Sequence, residues 1–277
     1  MPNLRELKKH LHSIEMTGQL AGAMKTVAAA KYSRINAILT NYARYAKRCG
    51  EIRERFGAML SDAYPCVNPD APRGIVVMGS NRGLCGGYNI ELLNFADAVL
   101  AESPRPWKLF AVGKRAAVRF HDNGTPMEGE YVLPDVVRYE DCTALLSRLL
   151  DLYRAGEIST VEIIHQKFVN MLTQTPVISP LLPLSATEEA GDTDGILFVP
   201  DRETVLYSAA EVCVNASMYM YLLESAAGAQ AATLMAMRSA FDNAEQTAAE
   251  LESAISRKRQ SDVTASVIET SGGFFEG

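Results

Sequence analysis

The sequence predicts an α/β fold with long terminal helices: the N- and C-terminal helices pair as an antiparallel coiled coil and flank a Rossmann-like α/β domain. Two observations support it. Both ends of the chain carry the apolar repeat of a coiled coil, and the middle alternates strand-like and helix-like segments. We expect an N-terminal coiled-coil helix at 1–64, an α/β domain at 65–200 and a C-terminal coiled-coil helix at 201–277.

In the N-terminal arm every seventh residue is apolar over eight heptads, as expected for one seam position of a coiled coil. These residues are Leu7, Ile14, Ala21, Ala28, Ile35, Tyr42, Cys49 and Phe56. The other seam position is rougher, because Gly18, Lys25 and Arg53 interrupt it. No proline falls between Asn3 and Tyr64, so we expect one continuous helix.

The C-terminal arm holds a cleaner repeat, with spacings of three and four residues from Leu206 to Lys258. Fourteen of these sixteen positions are apolar, a register longer than a surface helix usually keeps. The repeat weakens after Ile255, although the helical pattern continues to about Thr270. Two interpretations of this last piece stay open: a helix whose apolar residues, such as Val263, another protein covers, or a frayed tail.

Charge divides between the ends of the chain. Residues 1–60 contain 11 Lys and Arg against 4 Asp and Glu, whereas residues 203–277 contain 4 against 10. A basic arm alone would suggest nucleic acid or an anionic membrane as a partner. The acidic arm of the same chain offers a closer one, so the charges favour pairing of the two ends over two separately solvated faces.

Cysteine usage and hydropathy point to a cytosolic protein. The five cysteines are scattered without a CxxC pair, which argues against a zinc site and a disulfide framework. No run of about 18 apolar residues is present to span a bilayer. The basic N-terminal stretch also lacks the apolar region of a secretory signal. We expect no cofactor and no bound metal ion.

The middle of the chain predicts a mostly parallel sheet. Its alternating segments are 74–80, 89–102, 107–113, 115–122, 139–157 and 159–170. Turns rich in proline at 65–72 and a loop at 176–195 are expected to connect this domain to the arms.

A glycine-rich segment at 79–89 follows a strand and precedes a helix, where backbone amides can bind a phosphate. An enzyme is therefore one hypothesis. The segment lacks the spacing of a P-loop and of GxGxxG, and no GxSxG elbow or HExxH helix occurs elsewhere. Cys85 is either a reactive thiol or, more commonly for such a residue, a small buried side chain.

Three blocks carry a resemblance to a known family. Residues 23–31 read AMKTVAAAK, residues 80–89 read SNRGLCGGYN, and residues 236–244 with 257–264 read AMRSAFDNA and RKRQSDVT. Together, and in this order, they resemble the gamma subunit of F-type ATP synthases over essentially the whole chain. The sequence departs from the family pattern at 228–234, which read GAQAATL, and at Ser266, where an acidic contact is missing.

The resemblance implies a non-catalytic rotor subunit in the central stalk. Such a subunit transmits torque from an ion-driven membrane ring to the catalytic beta subunits during ATP synthesis or hydrolysis. The implied partners are three alpha and three beta subunits, the epsilon subunit and the membrane c-ring. The implied location is the cytoplasmic face of the bacterial inner membrane, as a peripheral protein. The alternative is a coiled-coil scaffold or tether that keeps the fold but binds another partner.

The same resemblance implies two sets of contact residues. Those implied for the beta subunit are Arg259, Gln260, Thr264, Glu269, Met24 and Lys25. Those implied for the α/β domain, which forms the foot of the rotor and contacts the epsilon subunit, are Arg82, Cys85, Gly86 and Gly87. No residue is implied to be catalytic.

Overall fold

The computed structural model of the protein describes residues 3–184 and 197–272. The helices are α1 (Leu4–Ala63), α2 (Tyr88–Ala101), α3 (Lys114–Asp122), α4 (Thr143–Arg154) and α5 (Arg202–Gly272), with a 3₁₀ turn at Tyr139–Cys142. The strands are β1 (Arg73–Met78), β2 (Trp107–Val112), β3 (Gly129–Tyr131), β4 (Thr160–Phe168) and β5 (Gln174–Leu182).

Two compact units divide the chain. One combines Met1–Val27 with Leu234–Gly277, and the other is Ala28–Thr233. Helices α1 and α5 contribute to both units, because each runs through a boundary without a break.

The first unit is a close antiparallel helix pair. A Cβ atom added at Gly18 would lie 3.2 Å from the Cβ of Ala244, and one added at Gly22 would lie 3.1 Å from the Phe241 ring. Contacts this short mean that the two backbones approach as closely as small residues allow. The small side chains predicted to line the seam therefore do so, and the coiled-coil prediction is confirmed here.

The helix pair continues inside the second unit. Ile35 and Leu60 of α1 are fully buried. The Sγ of Cys213 on α5 lies 3.4 Å from the carbonyl oxygen of Cys49, and the rings of Tyr42 and Tyr219 meet edge to face at 4.8 Å. Both helices thus present their predicted seam residues to each other in this unit too.

The sheet of the second unit has the strand order β3-β2-β1-β4-β5. The pairs β1 with β2, β1 with β4 and β2 with β3 are parallel, and only β4 with β5 is antiparallel. The prediction of a mostly parallel sheet is confirmed. Its order is that of a doubly wound sheet, in which the chain reverses direction beside the first strand.

Side chains of the central strand alternate between two apolar layers. Ile75 and Val77 pack with α2 and α3, where Leu92 and Phe120 are fully buried. Val76 and Met78 face a larger cluster that contains α4 and the second unit's segments of α1 and α5. The sheet is thereby anchored on the helix pair by its own hydrophobic core.

The predicted loop at 176–195 is wrong over its first part, because β5 extends through Leu182. Pro176 and Pro180 pair with Gln166 and Glu162 of β4. An edge strand tolerates proline, since the missing N–H can face away from the ladder. The prolines therefore masked a real strand. Residues 185–196 of the predicted loop lie outside the described residues.

A buried polar pair lies between β4 and α5. The Nδ1 of His165 is 3.6 Å from the Oε2 of Glu224, and its Nε2 is 3.0 Å from the Ser179 hydroxyl. Burial lowers the pKa of His165 to about 4 and raises the pKa of Glu224 to about 7. Near neutral pH the histidine is therefore uncharged, and the carboxyl group is about half protonated.

Glu224→Gln is expected to stabilise the fold at alkaline pH. A folded-state pKa raised above the unfolded value stabilises fully below about pH 4.5, and this contribution is lost as the pH rises through about 7. Glutamine stays neutral, so the variant should exceed the parent in free energy of unfolding at pH 8. Urea unfolding from pH 5 to 8 measures this difference.

The exposed Glu252→Gln variant is the control and should match the parent at each pH. Parallel pH profiles for the parent and Glu224→Gln would contradict the assignment. His165 acts in the opposite direction in both proteins, because its lowered pKa removes stability as the pH falls from about 6.5 to about 4.

Candidate functional site

The C-terminal end of α5 projects beyond the start of α1. Gly18 of α1 contacts Ala244 of the antiparallel α5. Counting the same number of residues away from this contact along each helix places Leu4, the first residue of α1, opposite Lys258. Helix α5 continues to Gly272. The helical interpretation of this last piece is thus confirmed, and the frayed tail is not observed in the described residues.

Every described side chain after Lys258 is exposed, through Ile268. Arg259 and Gln260, both predicted contact residues, begin this exposed stretch. The Thr264 hydroxyl donates a hydrogen bond to the Gln260 carbonyl oxygen at 2.8 Å. Glu269 lies outside the residues whose side chains are described.

Apolar side chains occur on the same stretch. Val263, Val267 and Ile268 are all more than 60% exposed. Three large apolar groups within six residues make this a surface that favours contact with another protein.

Met24 and Lys25 lie within the helix pair and are half buried. The Lys25 ammonium group is 4.0 Å from the centre of the Phe241 ring on α5, a cation–π contact. This contact explains how a lysine is accommodated at a seam position that the sequence repeat reserves for apolar residues. The aliphatic stem covers the seam while the charge stays over the ring.

Residues 79–87 form a loop between β1 and α2, and the glycine-rich segment continues into the first two residues of that helix. Leu84 and Gly86 have positive φ angles of 62° and 57°, which turn the chain sharply before the helix begins. A Cβ at Gly87, the residue before α2, would lie only 2.6 Å from the Oε1 of Glu91. A carboxylate already lies at this helix N-terminus, where a phosphate would otherwise bind.

The side chain of Asn89, at the start of α2, organises this loop. Its Oδ1 accepts a hydrogen bond from the Ser80 backbone N–H at 3.1 Å. Its Nδ2 lies 2.8 Å from the Ser80 hydroxyl oxygen, 3.4 Å from the Arg82 carbonyl oxygen and 3.0 Å from the Cys85 sulfur. Only 6% of Asn89 is exposed. The polar groups of the loop are therefore satisfied from within the chain.

Cys85 is buried, with 3% of its surface exposed, and packs with Tyr88 and with Ala229 of α5. The interpretation of Cys85 as a small buried side chain is confirmed. The other predicted foot residues, Arg82, Gly86 and Gly87, are surface-exposed.

Helix α5 fills the crevice at the carboxyl end of β1, where doubly wound sheets bind their ligands. The Ser225 hydroxyl donates to the Met78 carbonyl oxygen at 3.3 Å, and the Tyr88 hydroxyl donates to the Ser225 carbonyl oxygen at 2.8 Å. Gly228 continues the contact, because a Cβ there would lie 3.1 Å from the Tyr88 ring. The place that holds a nucleotide in related architectures is occupied by this chain's own helix.

Asp135 ties the loop to α1. Its Oδ2 accepts a hydrogen bond from Lys31 at 2.5 Å and lies 3.9 Å from the Nε of Arg82. Burial alone would raise the pKa of Asp135, but the hydrogen bond and charge of Lys31, with the charge of Arg82, outweigh it and lower the pKa. Asp135 is thus an anion that holds two basic residues far apart in sequence.

Comparison with known proteins identifies the family. The sequence model of the family described as ATP synthase matches residues 3–275. The ATP synthase gamma chain of Heliobacterium modesticaldum is 32% identical over 286 residues, which cover 99% of this chain and 98% of the relative. The chain belongs to the ATP synthase gamma chain family. The gamma chain of Pelotomaculum thermopropionicum is 30% identical, with the same coverage of both chains.

Solved structures agree in fold. A chain from the central stalk and c-ring of the Tetrahymena thermophila mitochondrial ATP synthase superposes with a TM-score of 0.63 at 21% identity, covering 80% of this chain and 99% of that one. A chain from the OSCP/F1/c-ring structure of the Euglena gracilis enzyme gives 0.67 at 15% identity, covering 98% and 93%. In the described part of this gamma-family chain, no helix is both long and apolar enough to cross a membrane.

Asn89→Leu should loosen the loop of this gamma-family protein. Leucine leaves the Ser80 N–H without its buried partner, and an unsatisfied buried group costs about 1–3 kcal/mol. Urea unfolding should show a loss of that size. Asn94→Leu, on an exposed face of the same helix, is the control: it loses only an exposed 3.4 Å hydrogen bond from Arg119 and should change stability by less than about 0.5 kcal/mol. Equal losses in both variants would refute the role of Asn89.

Proposed function

We propose that this chain is the central-stalk rotor subunit of an F-type ATP synthase, transmitting torque between an ion-driven membrane ring and the catalytic beta subunits. The observation that carries the proposal is family membership over essentially the full length of both chains. A relative that matched only the sheet domain would leave the helix pair without a role, whereas here both are covered.

The helix pair has the physical properties that torque transmission needs. In the first unit, small residues such as Gly18 and Gly22 bring the two backbones into close contact, and a tightly packed pair resists bending better than a single helix. Beyond that pair, α5 presents an exposed face that carries both charged and apolar groups. A stiff element with an exposed contact surface at its end suits a rotor.

The proposed partners at this end are three alpha and three beta subunits. Arg259 and Gln260 are proposed to hydrogen-bond one beta subunit, with Thr264 and Glu269 adjusting the same contact. Their exposure on α5 supports this role for the first three. The hydroxyl of Thr264 already bonds its own helix, so we propose that its methyl group and backbone shape the contact.

Met24 and Lys25 are proposed to lie near a beta subunit as well. Lys25 is only half buried, so its ammonium group can contact an acidic partner segment while it stays over Phe241. The beta subunit would then contact the Lys25 ammonium group, which the helix pair itself holds in position.

The foot of the rotor is proposed to be the sheet domain, in contact with the epsilon subunit and the c-ring. Arg82, Gly86 and Gly87 offer exposed surface for this contact. For Cys85 we propose an indirect role, because its side chain is buried and holds the loop against α5.

The chain is proposed to be non-catalytic and to act at the cytoplasmic face of a bacterial inner membrane as a peripheral protein. The filled crevice supports the absence of a nucleotide site in the sheet domain, since the Glu91 carboxylate lies at the N-terminus of α2 and Ser225 of α5 contacts the end of β1. ATP chemistry would then belong to the neighbouring subunits.

Reconstitution tests the proposal. The chain is mixed with purified alpha and beta subunits from the same source, and the products are separated by size and assayed for ATPase turnover. We expect a complex of three alpha, three beta and one copy of this chain, with turnover above that of alpha and beta alone. A chain that neither co-purifies nor alters turnover would be a scaffold of another kind, and the rotor proposal would fail.

Arg259→Ala is expected to weaken coupling without preventing assembly. A hydrogen bond to a charged group contributes about 1.5–3 kcal/mol, so its loss should lower the rate of ATP synthesis at a fixed ion gradient. Arg257→Ala is the matched control: Arg257 is exposed too, but two residues of helix turn it to a different face. Unchanged synthesis in Arg259→Ala, or equal losses in both variants, would show that the contact is not used.

A further inference from the structure

A cavity of about 660 Å³ opens on the second unit, between α1, the 3₁₀ turn and α5. Four tyrosines line it: Tyr42 and Tyr45 from α1, Tyr139 from the turn, and Tyr219 from α5. We call these four residues the tyrosine cage. None of the roles proposed above uses them, and they are distant in sequence, so only the fold brings them together.

The rings of the tyrosine cage stand at steep angles to one another. Tyr42 meets Tyr219 edge to face at 4.8 Å, and Tyr139 meets Tyr219 edge to face at 5.7 Å. Tyr45 is tilted by 50° against Tyr42 at 5.4 Å. Rings in this arrangement form walls rather than a stack, and the electron-rich face of an aromatic ring attracts cations.

The cage is preorganised on one side and open on the other. Tyr219 is buried, and its hydroxyl donates to the Val137 carbonyl oxygen at 3.2 Å, which fixes the ring. Tyr45 and Tyr139 remain 48% and 41% exposed. A ligand can therefore reach the fixed wall past two rings that still face solvent.

Acidic side chains lie near Tyr139 and Tyr219 of the cage. Burial and the neighbouring Cys142 raise the pKa of Tyr139, and the Glu211 carboxylate acts in the same direction. Glu140 and Asp141 act in the same direction on Tyr219. The described residues that line the cavity carry no charge themselves. The nearby carboxylates favour a cationic over an anionic ligand.

The cavity wall also carries polar groups, the amide side chains of Asn41 and Asn215. The Tyr42 hydroxyl makes no hydrogen bond among the described residues, but it is buried and out of reach of a ligand in the cavity. A ligand with one hydroxyl or carbonyl group would find hydrogen-bonding groups beside the aromatic walls.

We propose that the tyrosine cage binds a small organic cation of the alkylammonium class. The volume exceeds what a single side chain needs and lies in the range of small-molecule sites, about 300–1,000 Å³. Aromatic walls with carboxylates nearby recognise an alkylated ammonium group by cation–π attraction, and the amides of Asn41 and Asn215 can hydrogen-bond a hydroxyl group of the ligand. Water solvates the diffuse positive charge of an alkylated ammonium group only weakly. Its attraction to the aromatic rings therefore compensates for the hydration that it loses on binding.

The test compares two ligands of equal shape. The full-length chain is titrated calorimetrically with choline and with its neutral isostere, 3,3-dimethylbutan-1-ol. Choline should bind saturably at one site, with the neutral compound at least about tenfold weaker, as expected for loss of a cation–π contact. Equal affinities would identify a merely apolar pocket and overturn the proposal, as would the absence of saturable choline binding.

Matched variants distinguish the loss of an aromatic ring from the loss of the fold. Tyr139→Leu and Tyr45→Leu should each weaken choline binding by about tenfold, while Tyr139→Phe and Tyr45→Phe keep the aromatic faces and should bind within about threefold of the parent. Both positions are partly exposed, so these variants should fold. Unchanged binding in the leucine variants, or equal losses in the phenylalanine variants, would overturn the assignment.

Discussion

Close packing of small side chains between α1 and α5 is the constraint on which the rest of the structure depends. Where Gly18 meets Ala244 the two backbones leave no room for a larger group. The same two helices then supply the apolar surface on which one face of the sheet is packed, through residues such as Ile35 and Leu223. A substitution in the seam between α1 and α5 of the second unit would therefore disturb the packing of the sheet, because the seam and the sheet share one hydrophobic cluster.

Helix α5 explains how an architecture suited to ligand binding becomes a structural one. A doubly wound sheet leaves a crevice at the carboxyl ends of its strands. Here Ser225 and Tyr88 bridge that crevice with hydrogen bonds, and Gln166 donates a further one to the Tyr88 carbonyl oxygen. The glycine-rich loop that suggested a phosphate site is closed around Asn89 instead. The fold is kept while the cavity that gives it chemistry in other proteins is filled.

Features that repeat along the sequence could be predicted from it, whereas features that depend on contacts with other parts of the fold could not. The seam residues and the parallel strands follow from repeats of seven and from alternation, so they could be read directly. Strand β5 could not, because Pro176 and Pro180 are read as loop signals unless the strand is known to lie at an edge. Asp135 gave no local signal at all. Its importance comes from its contact with Lys31, more than a hundred positions away.

The prolines of β5 have a consequence for how the protein behaves in a crowded solution. An unprotected sheet edge offers a row of N–H and C=O groups to any extended chain that passes. At Pro176 and Pro180 this edge has no N–H to offer, so a foreign strand could not complete a regular ladder along it. The two residues that obscured the strand in the sequence thus guard it in the folded protein against strand-by-strand aggregation.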